Sequence, residues 1–196
     1  MKFLSITLII VIQFLVGIND HSLNSQPNNS ANLEEISTTN THIKFFSTTP
    51  IEDIEANNYD ASGIINKSTG RVAFSVPMQS FQFEKSLMQR HFNQGRFLDT
   101  KNHPTAQLIG EITNLEEIDF EKDGTYTAKV SGKLTIRGVT NDFTNWGKIT
   151  ISGNTLSVDS EFNVLLEEFG IAFKRGKPST NVAKTILVTL KAEFDN

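Results

Sequence analysis

GTYTAKVSGKLTIRGV, residues 124–139, decides how this chain folds. Its even positions are Gly124, Tyr126, Ala128, Val130, Gly132, Leu134, Ile136 and Gly138, while every odd position from Thr125 through Arg137 is polar. A period of two puts one set of side chains on a buried face and the other in water, which is the mark of a one-sided β-strand. Two later stretches share the pattern. TLSVDSEFNVLL carries Leu156, Val158, Phe162, Val164 and Leu166 on one face, and VAKTILVTLKAEF carries Val182, Ile186, Val188, Leu190, Ala192 and Phe194. RVAFSVPM adds Val72, Phe74, Val76 and Met78, and PTAQLIGEI adds Ala106, Leu108, Gly110 and Ile112. With the shorter runs THIKFFS, YDASGII and FTNWGKITIS, the chain has about eight strands, the number at which an antiparallel sheet closes around one small ligand.

Closure has a physical motive. Strands this long would leave edges that template aggregation, and a barrel removes them. Gly110, Gly132 and Gly138, on the buried parity, suit the bends and close backbone approaches of a strand curling round a barrel. A two-sheet sandwich fits less well, because its strands are shorter and more often interrupted by turns.

Within the domain, the stretch from about Gln82 to His103 lacks strand alternation and is too long for a structureless loop in a compact domain. Phe83, Leu87, Met88, His91 and Phe92 recur at helical spacing, so FEKSLMQRHFN is expected to form a short helix with one apolar face, ended by Gly95. This predicts a helical plug across one end of the barrel, with Pro104 opening the next strand. His91, Asp99 and His103 lie in this stretch, but their spacing matches neither a helical zinc pair nor a His-x-His pair, and boundary residues of a packed helix explain them.

The 196 residues suffice for one domain with a core of its own. With 15 Phe against 1 Trp and 2 Tyr, the aromatic content favours rings that bury without a polar atom to satisfy. A net charge of −4 and the lack of a basic stripe exclude nucleic acid as an expected partner. Cysteine is absent, which excludes disulfides, thiolate metal sites and cysteine nucleophiles. No G-x-S-x-G elbow or S-x-x-K motif occurs, and no cofactor or metal pattern. The pairs Glu116–Glu117 and Glu167–Glu168 sit at strand ends, where solvated charge is the ordinary explanation. Lys174, Arg175 and Lys177 in FKRGKPS could receive an anionic headgroup, but beside Gly and Pro they read as a solvated loop.

Met1-Lys2 followed by FLSITLIIVIQFLVGI has the charged start and apolar run of a secretory signal, so residues 1–18 predict an exported, periplasmic protein. No A-x-A pattern follows it, and the alternatives are a secreted protein or retention by an uncleaved, membrane-contacting N-terminal anchor. Residues 19–40, rich in Asn and Ser, read as a disordered linker, and the domain is expected over 41–195.

THIKF (41–45), MQRHFNQGRFLDTKNHPTA (88–106), GKLTIRGVT (132–140) and EEFGI (167–171) occur in the order and spacing of the YceI-like family, and the chain resembles an exported bacterial member across about residues 41–195. Arg96-Phe97-Leu98 stands where many members have a double aromatic, and Glu168-Phe169 where Asp-Tyr is common. The resemblance implies an antiparallel lipocalin-like barrel that holds a polyisoprenoid or similar amphiphile without catalysis. On the parity above, the guest would meet Phe74, Val76, Met78, Leu108, Tyr126, Val130, Leu134, Ile136, Phe162, Val164, Val188 and Leu190, with Tyr126 as the inward polar tip. The alternative is an exported structural or stress-related interaction protein whose barrel is filled by its own side chains; the same alternation serves both.

Overall fold

The structure is a computed structural model that describes residues 34–49, 52–171 and 183–195, together with the backbone of 173–174 and 177–178. The chain begins with a long antiparallel hairpin. Its first arm comprises β1 (Glu35–Thr38) and β2 (Asn40–Thr48), and its second comprises β3 (Asp53–Asn58) and β4 (Ser62–Asn66). One register runs through both arms, with Thr38 opposite Gly63 and Ile43 opposite Asn58. The arms part only in the middle, where the Thr41 hydroxyl donates to the Ala61 carbonyl at 2.9 Å. Because Glu35–Thr38 is paired, the segment read as linker over 19–40 ends earlier than its composition suggested. Residues 1–33 lie outside the described residues.

After the hairpin come β5 (Arg71–Pro77), β6 (Gln82–Phe83), the helix α1 (Ser86–Asn93), β7 (Thr105–Ile112), β8 (Gly124–Ile136), β9 (Val139–Ser152) and β10 (Thr155–Leu165). A small separate ladder pairs β11 (Phe173–Lys174) with β12 (Lys177–Pro178), so the backbone of the expected basic loop is a two-stranded ladder. The last strand is β13 (Thr185–Asp195).

The main sheet runs in the order β1, β4, β5, β7, β8, β9, β10, β13, β2, β3, β6, antiparallel throughout. β1 and β2 are one run of chain broken only at Thr39, yet β1 pairs with β4 at one end of that order while β2 pairs with β13 toward the other. The sheet therefore closes on itself as a barrel. Joining β1 to β2, β3 to β4 and β5 to β6 as interrupted single strands leaves eight around the circumference, and the breaks account for the higher number of separate segments.

Two glycines let the wall bend. Gly110 and Gly132 stand opposite each other, and a Cβ on Gly132 would lie 2.2 Å from the Ile109 carbonyl oxygen. Gly138 differs from the expectation of an in-strand bend. It is the second residue of the tight β8–β9 turn, with φ +76°, following Arg137 at φ 52°. Both central residues are left-handed, as in the two-residue turns whose twist matches a hairpin.

The connections alternate between the two ends of the barrel. The turns at 67–70 and 153–154 and the 113–123 connection lie at one end, here the floor. The 49–52 turn, the 78–104 segment with α1, the Arg137–Gly138 turn and the 166–171 turn lie at the other, the mouth. The floor half is packed solid around Phe194 and Leu156, both 0% exposed, with Ile65, Ile112, Ile118, Phe120, Ile149 and Ile151 also buried. At the mouth the wall itself opens. β9 and β10 pair only as far as Gly147 opposite Ser160. Above that point side chains span the seam: Asn145 Nδ2 donates to the Glu161 carbonyl at 3.0 Å, Asn141 Nδ2 to the Glu168 carbonyl at 2.9 Å, and Phe143 meets Phe162 edge-on.

Candidate functional site

A cavity of about 840 Å³ occupies the mouth half of the barrel. The inward parity of the strands supplies its wall, because alternate residues on each strand share one face. Of the twelve residues expected to face a guest, ten line it: Phe74, Val76, Met78, Leu108, Leu134, Ile136, Phe162, Val164, Val188 and Leu190. The other two expectations need correction. Tyr126 and Val130 have the right parity but lie too far down β8, where they pack against the solid floor half. The Tyr126 hydroxyl donates to the Lys122 carbonyl at 3.0 Å, in the floor-end connection, so it is not a polar tip at the mouth.

Phe74 bounds the cavity below. Its ring meets Phe194 edge-on at 6.5 Å between centroids, and Gly63 stands opposite it on β4. A Cβ on Gly63 would come within 2.6 Å of the Phe74 ring, so the absence of a side chain there lets the ring settle toward the floor.

Phenylalanines from four segments gather at the mouth: Phe45 on β2, Phe81 and Phe83 around β6, Phe92 on α1 and Phe97 in the loop after it. Phe92 is the hub, with ring centroids 5.7 Å from Phe45, 5.5 Å from Phe81, 5.1 Å from Phe83 and 6.3 Å from Phe97. Such pairs hold geometry beyond their area burial and fasten α1 across the opening. The helix is shorter than FEKSLMQRHFN, because Phe83 is paired to Ala56 in the sheet before the helix begins. Met88, His91 and Phe92 turn to the cavity, whereas Leu87 is 53% exposed and lies off the apolar face assigned to it. Sequence reasoning left the aromatic rim out of the site because it arises from a helix, a loop and short irregular strands, which have no common period. The excess of Phe over Trp and Tyr was the available signal.

Among the described residues, the ionisable side chains bordering the cavity are Glu52, His91, Arg96 and Arg137. All of them come from turns, from α1 or from the loop after it, so the strand wall itself carries none. Glu52 accepts from Lys85 Nζ at 3.0 Å, and this hydrogen bond, followed by the carboxylate's charge, raises the Lys85 pKa above its ordinary 10.5. Arg137 occupies a left-handed position that favours Asn, Asp or Gly, at a conformational cost of about 1–2 kcal/mol. It is held there by its guanidinium: Nη1 donates to the Gly170 carbonyl at 2.8 Å and Nη2 to the Gly95 carbonyl at 3.1 Å. One side chain thus ties the β8–β9 turn to the loop after α1 and to the 166–170 turn. His103 packs its ring over Gly138, and the two Asp99 carboxylate oxygens accept from Asn102 Nδ2, at 3.1 and 2.9 Å.

Among the described residues no group of His, Asp or Glu is arranged to hold a metal ion, and no helix is long and apolar enough to cross a membrane. Glu117 accepts from Asn114, and both carboxylate pairs lie in short 3-10 turns at strand ends. The side chains of Lys174, Arg175 and Lys177 lie outside the described residues. What remains is an apolar chamber with a charged rim, suited to a guest with a hydrocarbon body.

The sequence model of the family described as YceI-like domain matches residues 34–194. No curated protein sequence matches the chain. Among solved structures, a polyisoprenoid binding domain from Saccharophagus degradans superposes with a TM-score of 0.68 at 11% identity, covering 83% of this chain and 98% of that one. BcnA from Burkholderia cenocepacia gives 0.65 at 16% identity, covering 78% and 95%. The YCEI protein of Campylobacter jejuni gives 0.59 at 16% identity, covering 76% and 88%. At these identities the likeness is one of fold.

Proposed function

Because the chain belongs to the YceI-like domain family, we propose that it binds one amphiphilic lipid of isoprenoid type, without catalysis, in the mouth half of its barrel. The observation that carries this reading is the apolar cavity of about 840 Å³. That size lies in the upper part of the roughly 300–1,000 Å³ common for pockets enclosing a small-molecule ligand. Burial contributes about 0.8 kcal/mol per CH₂. Association costs roughly 4–15 kcal/mol in lost freedom and ordering, so about twenty buried carbons offset even the upper figure. The packed floor halts the chain at Phe74, so a longer polyprenyl tail folds back or leaves through the mouth. The isoprenoid class is supported by the polyisoprenoid binding domain among the structural neighbours, and the wall's lack of charge favours a guest that is hydrocarbon along its length. Export to the periplasm, predicted by residues 1–18, would make the protein a carrier or store for such a lipid in an aqueous compartment.

Titration of the full-length protein with the fluorescent hydrophobe N-phenyl-1-naphthylamine, followed by displacement with farnesol or solanesol, tests this. One displaceable site per chain is expected. Leu134→Trp should abolish uptake with a modest loss of stability, because its bulk enters open space. If Leu134→Trp instead costs about 1–3 kcal/mol through overpacking, and wild type takes up no probe, the chamber is closed in solution and the binding reading fails.

A further inference from the structure

Resting on that reading, we propose that the guest carries an anionic oxygen head, a phosphate or a carboxylate, received at the mouth by Arg137 and Arg96. Arg137 is fixed in place by two backbone carbonyls, yet its Nε is buried and has no hydrogen-bond partner among the described residues. A buried donor without a partner is costly in a folded protein, and a guest oxygen arriving at the cavity rim would satisfy it. Arg96 follows directly on Gly95, whose carbonyl Arg137 holds, so the two cations border the same side of the opening.

The balance of charge points the same way. Neither arginine lies within ion-pair distance of a carboxylate among the described residues. Of the stretches outside the description, 50–51 and 172–182 contain no acidic residue, and residues 1–33 contain one, Asp20. Among the described residues, the one carboxylate bordering the cavity, Glu52, is already engaged by Lys85. In a protein of net charge −4, an unneutralised pair of guanidiniums beside an apolar chamber runs against the overall composition. Guanidiniums bind carboxylate and phosphate oxygens through charge-assisted hydrogen bonds, and they do so more strongly where the surroundings exclude water.

The test compares matched guests that differ only in the head. The full-length protein is titrated with farnesyl phosphate against farnesol, and with palmitate against 1-hexadecanol, reading displacement of N-phenyl-1-naphthylamine. At least one acid is expected to bind about tenfold or more tightly than its alcohol, the order of one charge-assisted hydrogen bond. Discrimination by phosphate alone or by carboxylate alone identifies the head. Arg96→Gln, at an exposed residue, should reduce the ratio of acid to alcohol affinity; Arg137→Lys keeps the charge but lacks Nε and should reduce it too. If Arg137→Lys loosens the fold, the Arg96 variant and the wild-type pairs still decide. Equal binding of acids and alcohols, or discrimination that survives both substitutions, overturns the headgroup inference and leaves the apolar cavity intact. Failure of all four guests to bind overturns the lipid-binding reading along with it.

Discussion

Phe74 shows how single residues set the depth of the chamber. Its ring is the boundary between a packed half and a hollow half, and it lies as low as it does because Gly63 has no side chain. Gly63→Ala should drive the ring toward the cavity, costing about 1–3 kcal/mol in overpacking and shrinking the space for a guest. Thermal melting and the number of carbons accommodated in a series of alcohols would check it; an unchanged melting temperature with unchanged chain-length preference would show that the ring has other room to move. The same scale shows what parity conveys and what it omits. Alternation placed Leu134, Ile136, Val164 and Val188 on the cavity side, because a strand side chain has only two directions to choose from. It carries no information about height, and Tyr126 and Val130 point inward at a level where Ile149, Leu156 and Phe194 already fill the barrel. Arg137 was legible only as a polar odd position; its left-handed φ next to Gly138 marks a two-residue turn, and its role at the mouth follows from that turn rather than from the strand.

At the scale of elements, the long strands β8, β10 and β13 were readable because each keeps one period throughout. The first hairpin was harder. Its arms break at Thr39 and around 59–61, and its paired start at Glu35 lies within a polar stretch with little alternation to show. The helix α1 was recognisable from its stripe, yet its first turn was lost to β6, since pairing with β3 outweighs weak helical propensity in so short a segment. Its start is latched to the 49–52 turn by Lys85 and Glu52, a solvent-exposed pair. The Lys85 pKa is raised by that hydrogen bond, so its contribution is fully present below the ordinary lysine value and is lost as pH rises through the raised one. Lys85→Met should therefore lower the melting temperature slightly and by a constant amount from pH 7 to 9, with the deficit vanishing in strongly alkaline solution and shrinking in high salt. A deficit that grows with pH would mean that the latch acts through packing of the lysine stem instead.

For the whole molecule, the two alternatives the alternation left open turn out to describe different halves. Toward the floor the barrel is filled by its own side chains, and toward the mouth it is not. That division separates the source of stability from the proposed place of binding: the floor supplies a core, while the mouth carries the rim, the open seam between β9 and β10, and the aromatic cap. On the proposed reading a guest would lie with its tail toward Phe74 and its head toward Arg96 and Arg137. The central claim, that the mouth half stays vacant enough to hold a foreign hydrocarbon, is tested most directly by native mass spectrometry of the protein purified from its own host under gentle conditions. The account predicts a species heavier than the chain by one lipid, extractable into organic solvent and absent from the Leu134→Trp variant. Recovery of the bare chain alone, with a solved structure in which Phe45, Phe92 and Phe97 have collapsed into the chamber, would contradict it.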